Sequence, residues 1–308
     1  MTRHPLASVR ADALARWERS PTRSPFTHPA VMEAAGGAFG LDAVAWLGDG
    51  AAVVGLERRR LGARALAQPP ALPYSPPLLD AAPKEADVTM QRSPLGPLAA
   101  ALAARYAQAT VALPPAWPDA RPLAWNGWAL ATRYTSVARL DERPFLDWSG
   151  GARRRAQAHA GAFEVELGPA HVGDAVRLQV ASYARKGLAL RESEAALRRV
   201  ADAMSDAGLV QAAVAKRDGA VEAAALFAVD GPSATYWLSG SAAGPAMTVL
   251  FAHAERELAA AGVRTLDLGG ANVPGVAQFK RGLGGRVRPV VVARWARRWV
   301  RALQALRP

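Results

Sequence analysis

A lysine and an aspartate near the C-terminal end of the chain are the residues best suited to chemistry. Lys280 is one of only four lysines among 38 basic residues, so the arginine-rich composition does not explain it. Asp267 follows an apolar segment predicted to be a strand and precedes Gly269-Gly270. Sites in α/β proteins gather at such strand ends. The carboxylate can accept a proton or orient an amine, or it can hold the following turn through a side-chain hydrogen bond.

A glycine-containing segment, Gly240–Gly244, lies between a predicted strand and a predicted helix. Glycine lets a backbone approach a phosphate closely, and a helix N-terminus favours an anion. Gly240, Ser241 and Gly244 are therefore candidate cofactor-binding residues, although a plain strand-to-helix turn is the favoured interpretation. Asn272 also has two interpretations, as a substrate contact or as the cap of a helix that begins at Pro274.

The basic charge is concentrated at one end of the chain. The net charge is +12, and the 41 residues after Asp267 contain Lys280 and eight arginines but no acidic residue. A local excess of this kind can indicate an anionic partner. Residues 294–308 are predicted to form a basic amphipathic helix with Trp295, Trp299 and Leu306 on one face. Such a helix can contact an anionic membrane or dock on its own domain, and docking is more common.

Several function classes lose support from the sequence. The chain has no cysteine, which excludes disulfides, thiol nucleophiles and thiolate metal sites. The five histidines show no metal-ligand spacing, and we expect no metal. The nucleophile elbow, Walker A and dinucleotide fingerprints are missing. No export signal or membrane-spanning segment is predicted, so we expect a cytoplasmic protein, in peripheral contact with the inner face of the membrane if the tail helix binds there.

The elements that must position these residues follow a simple order in the second half of the chain. Alternating and helical apolar patterns predict a helix that carries Arg153–Arg155 and then a strand. Two helices, three strands, the glycine-containing segment, a helix, a strand, a short helix and a last strand follow. The predicted strands are 163–167, 209–217, 220–229, 233–239, 263–268 and 287–293. The predicted longer helices are 172–186, 194–207 and 245–261.

This is the element order of a GNAT acyltransferase core, and the first half is a looser version of it. The expected fold class is α/β, or α+β in some schemes, with two tandem GNAT-like lobes. Each lobe is expected to have a mixed central sheet flanked by helices. We place the N-terminal lobe at residues 1–146, the C-terminal acyltransferase lobe at 147–293 and the basic helix at 294–308.

One segment carries a specific family pattern. Residues 266–285 read Leu-Asp-Leu-Gly-Gly-Ala-Asn-Val-Pro-Gly-Val-Ala-Gln-Phe-Lys-Arg-Gly-Leu-Gly-Gly. They resemble the strand, turn and helix, ending in Phe-Lys-x-x-Phe-Gly, of the FemABX-like transferases of the GNAT superfamily, which include the peptidoglycan-bridge aminoacyltransferases. Leu283 departs from the usual aromatic, which we expect to change packing only. Weaker similarities are found at residues 24–26, 73–79, 125–128, 133–135, 153–155 and 183–187.

The resemblance implies transfer of an acyl or aminoacyl group to an amine. By the same resemblance, Lys280 would stabilise the oxyanion of the transition state and Phe279 would form a wall of the site. The other candidates for lining the substrate cleft are Trp125, Tyr134, Arg153, Arg154, Arg155 and Lys186. The arginines also fit a solvated helix face, and Lys186 also fits an ordinary helix C-terminus.

The resemblance leaves the donor open between acyl-CoA and aminoacyl-tRNA. The acceptor would bear an amine and could be a lipid-linked cell-envelope or peptidoglycan precursor. Two alternatives from other classes stay open. One is a non-catalytic GNAT-fold binding module, since fold does not imply function. The other is a protein that binds RNA or an anionic surface through its basic C-terminal region.

Overall fold

The computed structural model describes residues 1–60, 62–82, 93–115, 117–140, 145, 147–242 and 244–305. The chain divides into two compact units, one made of Met1–Arg133 with Pro289–Pro308 and one made of Tyr134–Arg288. Three sequence predictions include residues outside the described part. These are Leu146 at the lobe boundary, Ala243 in the glycine-containing segment and Leu306 of the tail helix.

The first unit begins with a strand and two helices and continues with a hairpin. Gly48-Asp49-Gly50 forms the hairpin turn, and Gly50 has a φ of +74°, which glycine adopts without strain. In chain order the elements up to the next unit are β1 (Thr2–Pro5), α1 (Arg10–Arg19), α2 (Pro29–Phe39), β2 (Asp42–Leu47), β3 (Ala51–Arg60), β4 (Ala63–Ala67), β5 (Leu78–Leu79), α3 (Leu95–Arg105), β6 (Gln108–Ala112), α4 (Arg121–Trp125) and β7 (Ala129–Arg139).

The second unit starts within β7 and contains the helix with the three consecutive arginines. Ser149 caps this helix by accepting a hydrogen bond from the Ala152 N–H. The remaining elements are α5 (Gly150–His159), β8 (Glu164–Leu167), α6 (Val172–Arg185), α7 (Glu194–Asp206), β9 (Val210–Arg217), β10 (Ala220–Asp230), β11 (Ser233–Ser241), α8 (Ala246–Ala260), β12 (Thr265–Gly270), α9 (Pro274–Gly282), β13 (Arg286–Ala296) and α10 (Arg298–Ala305).

The two units have sheets with the same strand order. In the first unit the order is β1-β2-β3-β4-β6-β13, and in the second it is β8-β9-β10-β11-β12-β7. In each sheet the strand pairs are antiparallel except one, which is β4 with β6 in the first and β11 with β12 in the second. A helix, α3 or α8, connects the two parallel strands in each case, as a parallel connection requires. The predicted α/β fold, with a mixed central sheet in each of two similar halves, is therefore confirmed.

The last strand of each sheet is contributed by the other half of the sequence. Residues 134–139 of β7 belong to the second unit, and residues 289–296 of β13 belong to the first. The predicted lobe limits at 146 and 293 remain a prediction, and the compact units have limits at Arg133 and Pro289 instead. The difference arises because the last strand of each half pairs with a sheet that the sequence order does not identify.

The tail helix starts later than predicted. Arg294, Trp295 and Ala296 pair with β6, so they continue β13, and α10 begins only at Arg298. Trp295 and Trp299 therefore do not share a helix face. In the described part of the chain, no helix combines the length and the apolar content needed to cross a bilayer.

The core of the second unit positions the residues discussed below. Helices α6 and α7 pack together, and α6 lies against β10 and β11. Helix α8 packs against β9 and β10 and contacts α5. The central strand β10 is buried from Ala223 to Ala228, as expected for a strand covered by helices. Leu283, the departure from the family pattern, is buried in this core.

Candidate active site

Lys280 is held over the turn that joins β12 to α9. Its Nζ donates a hydrogen bond to the Gly270 carbonyl oxygen at 2.8 Å, and the residue is only 7% exposed. Burial lowers the pKa of Lys280 to about 8, although the nearby negative charge of Asp267 acts in the opposite direction. The turn contains Gly269 with a φ of +79°, and a side chain there would reach the ammonium, with its Cβ 3.5 Å from Nζ. Gly269 thus packs against Lys280, a buried amine whose pKa lies close to neutral pH.

Asp267 anchors the same turn through hydrogen bonds. It is buried, and its Oδ1 accepts hydrogen bonds from the Thr135 hydroxyl and from the Gly269 N–H, the latter at 2.8 Å. The pairing of β12 with β7 shifts register between Asp267 and Gly270, so the turn departs from a regular strand. The carboxylate therefore has the turn-holding role that the sequence allowed, and it also places a negative charge near Lys280.

Asn272 holds the next part of this segment. Its Oδ1 accepts from the Tyr134 N–H and its Nδ2 donates to the Tyr134 carbonyl, each at 3.1 Å. The side chain thus imitates a neighbouring strand. Val273, and not Asn272, is the residue that precedes α9, so the predicted helix cap does not form. The Tyr134 side chain itself is 47% exposed.

The strands on either side of this turn separate where the site begins. Among the described residues, β11 and β12 pair only from Ser233–Thr235 with Thr265–Asp267. Beyond that point β11 continues to Ser241 along β10, whereas β12 continues along β7. The two neighbouring parallel strands thus stop pairing just before the Lys280 turn, and we call the region in which β11 and β12 no longer pair the gap.

An aromatic row forms one side of this region. Tyr236 of β11 lies 4.8 Å from Phe251 of α8, and Phe251 lies 6.2 Å from Phe279 of α9, between ring centroids. Burial raises the pKa of Tyr236 to about 12, so its hydroxyl remains protonated. Sequence reasoning identified Phe279 but missed Tyr236, Phe251 and the partner of Asp267, Thr135. Their only sequence signal is that Tyr236 falls in the predicted strand 233–239 and Phe251 in the predicted helix 245–261.

The first residue of the glycine-containing segment packs against a helix. Gly240 and Ser241 are still part of β11, and Gly240 is buried beneath α6. A Cβ on Gly240 would overlap the backbone carbonyl of Leu178 and lie 2.6 Å from the Gln179 nitrogen. Helix packing therefore explains this glycine. Gly244 lies just before α8, exposed, with a φ of +122°.

The remaining predicted residues are spread over the surface. Lys186 follows α6, where Gly187 adopts a φ of +67° and Leu188 donates back to the Tyr183 carbonyl, an ordinary helix end. Its side chain is exposed, and the structure gives it no direct link to Lys280. Trp125 lies in α4 of the first unit, 41% exposed, with the Arg121 guanidinium 5.6 Å from its ring.

The arginines of α5 are exposed, and one of them faces a separate cavity. Arg153 lines a cavity of about 330 Å³ between α5 and α8. Among the described residues that line it are Phe145, Trp148 and Arg256, but neither Lys280 nor Phe279. Arg154 and Arg155 lie on the solvent-facing side of the helix. Across the described residues, no group of three or more histidine or acidic side chains could hold a metal ion.

Comparison with known proteins gives one family match within the second unit. Residues 149–281 match the family described as an acetyltransferase (GNAT) domain. No curated protein matches the sequence.

Three solved structures share the fold of nearly the whole chain. The crystal structure of FemX has a TM-score of 0.72 at 12% identity, covering 99% of this chain and 100% of that one. The C-terminal domain of a putative lysylphosphatidylglycerol synthetase from Agrobacterium fabrum has a TM-score of 0.61 at 14% identity, covering 92% of each chain. A tandem GNAT protein from the clavulanic acid biosynthesis pathway has a TM-score of 0.50 at 13% identity, covering 96% and 98%.

The family match and the shared fold confirm the predicted resemblance to FemABX-like proteins of the GNAT superfamily. At these identities, the likeness to the solved structures concerns the fold. The matched segment contains β11, α8, β12 and most of α9, and therefore the separated strands and Lys280.

Proposed function

Since the chain carries a GNAT acetyltransferase domain within a FemX-like fold, we propose that it transfers an acyl or aminoacyl group from an activated donor to an amine. The observation that carries this proposal is the buried ammonium of Lys280 at the gap between β11 and β12. The gap offers a backbone surface for an extended donor, and α8 begins where β11 ends. An N-terminal helix end favours a negatively charged donor group.

The proposed reaction needs positioning and charge stabilisation. The neutral amine attacks the carbonyl carbon of the ester or thioester, and the carbonyl electron pair moves to oxygen. The tetrahedral oxyanion collapses, the amide bond forms, and the thiolate or alkoxide leaves with a proton from the nitrogen. A cation beside the oxyanion stabilises this transition state more than the ground state.

Lys280 is the proposed cation. Its hydrogen bond to the Gly270 carbonyl fixes the ammonium, so little reorganisation is needed when charge develops on the substrate. Burial among apolar groups lowers the local dielectric and strengthens this interaction. Phe279, with 37% of its surface exposed, is proposed to form the wall against which the acyl group lies.

Asp267 is proposed as a positioning residue. Its carboxylate is already bonded to Thr135 and to the Gly269 N–H, so it fixes the turn that holds Lys280. Its negative charge favours the ammonium form of Lys280. We prefer this role to proton abstraction, because a buried oxygen that already accepts two hydrogen bonds is poorly placed to meet an amine.

The donor is either acyl-CoA or aminoacyl-tRNA. The GNAT match supports acyl-CoA in general terms. The packing of Gly240 under α6 removes one argument for a pyrophosphate cradle at the start of the glycine-containing segment.

The acceptor is suggested by one fold neighbour, which is named a putative lysylphosphatidylglycerol synthetase; this name describes an aminoacylated lipid. Phosphatidylglycerol offers hydroxyl groups and no amine, so this name supports only a lipid-borne acceptor. We propose an amine on a lipid-linked or peptidoglycan precursor as the first acceptor to test, and the amine rests on the reaction proposed above.

The test is a transfer assay with both donors. Labelled acetyl-CoA and labelled aminoacyl-tRNA are each incubated with the protein and with amine acceptors that include a lipid-linked peptidoglycan precursor. Product is expected with one donor, and Lys280→Ala should lower kcat by about 10²–10³, as the loss of an oxyanion donor does. Lys216→Ala is the matched control, because Lys216 of β9 forms an ion pair with Glu166 of β8.

Donor binding is measured separately by thermal shift. A donor that binds only the folded protein stabilises it and so raises Tm. At a donor concentration of a hundred times its Kd, the stabilisation is about 2.7 kcal/mol. Desulfo-CoA tests the nucleotide part alone. Binding of an acceptor without transfer from either donor would instead support a non-catalytic GNAT-fold module. Unchanged transfer by a folded Lys280→Ala variant would contradict the role proposed for Lys280.

A further inference from the structure

A cleft lined by three arginines lies at one end of the sheet in the first unit. Its volume is about 370 Å³, and its walls come from the start of β4, the end of α3 and the junction of β13 with α10. We call it the arginine cleft. Its described lining residues are Gly62, Ala63, Arg64, Arg105, Ala107, Arg297 and Trp299.

Strand pairing alone brings these arginines together. Strands β4 and β6 run parallel, so both begin at this end of the sheet. Strand β13 runs antiparallel to β6 and ends there, with Ala296 opposite Gln108. Arg64 therefore lies at the start of one strand, Arg105 just before the next and Arg297 just after the third. Residues that are more than two hundred positions apart in the chain thus converge on one cleft.

Backbone hydrogen bonds fix the shape of the cleft. The Ala107 N–H donates to the Arg64 carbonyl at 2.8 Å, and the Arg297 N–H donates to the Ala107 carbonyl at 2.9 Å. The Arg297 guanidinium donates through Nη2 to the Ala104 carbonyl at 3.0 Å, which leaves its other donors for a ligand. The cleft is thus built from the sheet end and does not depend on long flexible loops.

The cleft carries an excess of positive charge. Within the described residues, neither Arg105 nor Arg297 forms an ion pair with a carboxylate. The third arginine, Arg64, has its Nη1 3.3 Å from the carboxylate of Glu57, whose side chain is fully buried. Glu57 is shared with Arg3 and Arg59, so it does not neutralise the cleft.

An apolar face of α10 adjoins this charge. Trp299, which lines the cleft, is 50% exposed, and Leu303 one turn later is 56% exposed. Residues four apart in a helix lie on the same face, so the two side chains form one apolar surface. Arg298 and Arg301, both exposed, lie on the same short helix. The sequence allowed a second interpretation, in which the tryptophan face docks on its own domain. Trp299 does not fit it, because half of its surface is exposed.

We propose that this surface docks on an anionic phospholipid membrane. Headgroup phosphates would bind the guanidinium groups of the arginine cleft, and Trp299 and Leu303 would enter the interface beside them. Arginine forms two-pronged hydrogen bonds with phosphate, and tryptophan favours the headgroup level of a bilayer. This proposal is independent of the transfer reaction, since it concerns a different unit of the chain.

A lipid surface fits the observations better than RNA does. Both would satisfy the arginines, and tryptophan can stack on a base. An exposed leucine beside the tryptophan gains nothing from a nucleic acid, whereas burial of both side chains at an interface contributes in proportion to their apolar area. RNA binding is therefore the outcome that the experiment must exclude.

The experiment is sedimentation of the full chain with vesicles. Vesicles of phosphatidylglycerol and phosphatidylcholine are compared with vesicles of phosphatidylcholine alone, at about 0.1 M salt and at higher salt. Binding is expected only with the anionic vesicles and should weaken as salt rises. Arg105→Gln should weaken it about fivefold, the contribution of one basic residue near an anionic surface.

Matched variants separate the two parts of the surface. Leu303→Ser should weaken binding to anionic vesicles about tenfold. Leu188→Ser, at a leucine of nearly equal exposure in the second unit, should have no effect. Arg199→Gln on α7 is the charge control for Arg105→Gln. All four variants are exposed substitutions, and a thermal melt verifies that each is folded.

Two results would overturn the proposal. One is equal binding to neutral and anionic vesicles, or no binding to either. The other is wild-type vesicle binding by both Arg105→Gln and Leu303→Ser. A loss of binding to single-stranded RNA in Arg105→Gln, in a protein that ignores vesicles, would assign the arginine cleft to nucleic acid.

Discussion

The Nζ of Lys280 lies 2.8 Å from the carbonyl oxygen of Gly270, across the turn that ends β12 and begins α9. The hydrogen bond ties a helix side chain to the end of a strand. It also places the ammonium near Asp267, whose carboxylate holds the start of the same turn. The position of the cation therefore depends on the turn, and the turn depends on hydrogen bonds from a different strand, through Thr135.

The pH dependence of transfer should report the charge of Lys280. Its pKa is about 8 in the folded protein, so the ammonium is lost as the pH rises through that value. We expect kcat to fall above about pH 8 under saturating substrates. Lys280→Arg keeps the charge at all accessible pH values and should remove the falling limb, even if its longer side chain lowers the maximum. A pH–rate profile of both proteins measures this, and an unmoved limb would assign it to another group.

The same pKa has a consequence for stability. The unfolded chain binds the Lys280 proton up to about pH 10.5 and the folded chain up to about pH 8. The free energy of unfolding should therefore rise with pH across this window. Lys280→Met removes the buried charge, so its advantage in stability over the wild type should be greatest at pH 7 and shrink towards pH 10.5. Urea unfolding at a series of pH values tests this, and a difference that does not change with pH would contradict it.

Gly240→Ala should destabilise the second unit. The added Cβ would overlap the backbone of α6 at Leu178, which cannot move as a side-chain end can. We expect a loss of about 1–3 kcal/mol, or more if α6 must shift. Gly151→Ala on α5 is the control, because a Cβ there meets open space and alanine is favoured within a helix. Denaturant unfolding of both variants decides whether Gly240 is required by packing.

Glu255 on α8 should make stability fall as pH rises. It is 3% exposed, Trp148 donates to its Oε2 at 2.9 Å, and burial raises its pKa to about 8. The folded protein therefore holds a proton between about pH 4.5 and pH 8 that the unfolded chain has released, and stability declines across this window. Glu255→Gln keeps the acceptor for Trp148 without a charge. Its Tm relative to the wild type should therefore increase from pH 5 to pH 8.

The neighbouring Glu257→Gln is the control for this measurement. The Glu257 side chain is 53% exposed, so its substitution should shift Tm little and equally at both pH values. If Glu255→Gln behaves like this control, then Glu255 is ionised in the folded protein at neutral pH and the burial argument fails.

Local patterns in the sequence predicted the elements of the second half well. The hairpin at residues 210–230, the capped helix at Ser193 and the helix that begins at Pro274 all form as expected. These features depend on periodicity, turn residues and capping groups, which act over a few positions. Lys280 could also be identified from the sequence, because it is a rare lysine in an arginine-rich chain and lies in a recognisable segment.

Other features depend on which strands become neighbours. The sequence contains no local signal that β13 pairs with β6, so the tail was predicted as helix from residue 294. The sequence likewise contains no local signal for the contact of Thr135 with Asp267, for the aromatic row that leads to Phe279, or for the backbone contact that requires Gly240.

The sequence by itself determined the order of helices and strands, the family resemblance and the basic character of the C-terminal region. These follow from local preferences and composition, which every residue carries with it. Only the tertiary structure decided that each half supplies the last strand of the other unit's sheet, that Lys280 is buried over the Gly269-Gly270 turn, and that three distant arginines share a cleft. Pairing between distant strands fixes these relationships, because it joins backbone groups whose donors and acceptors are the same for every residue type.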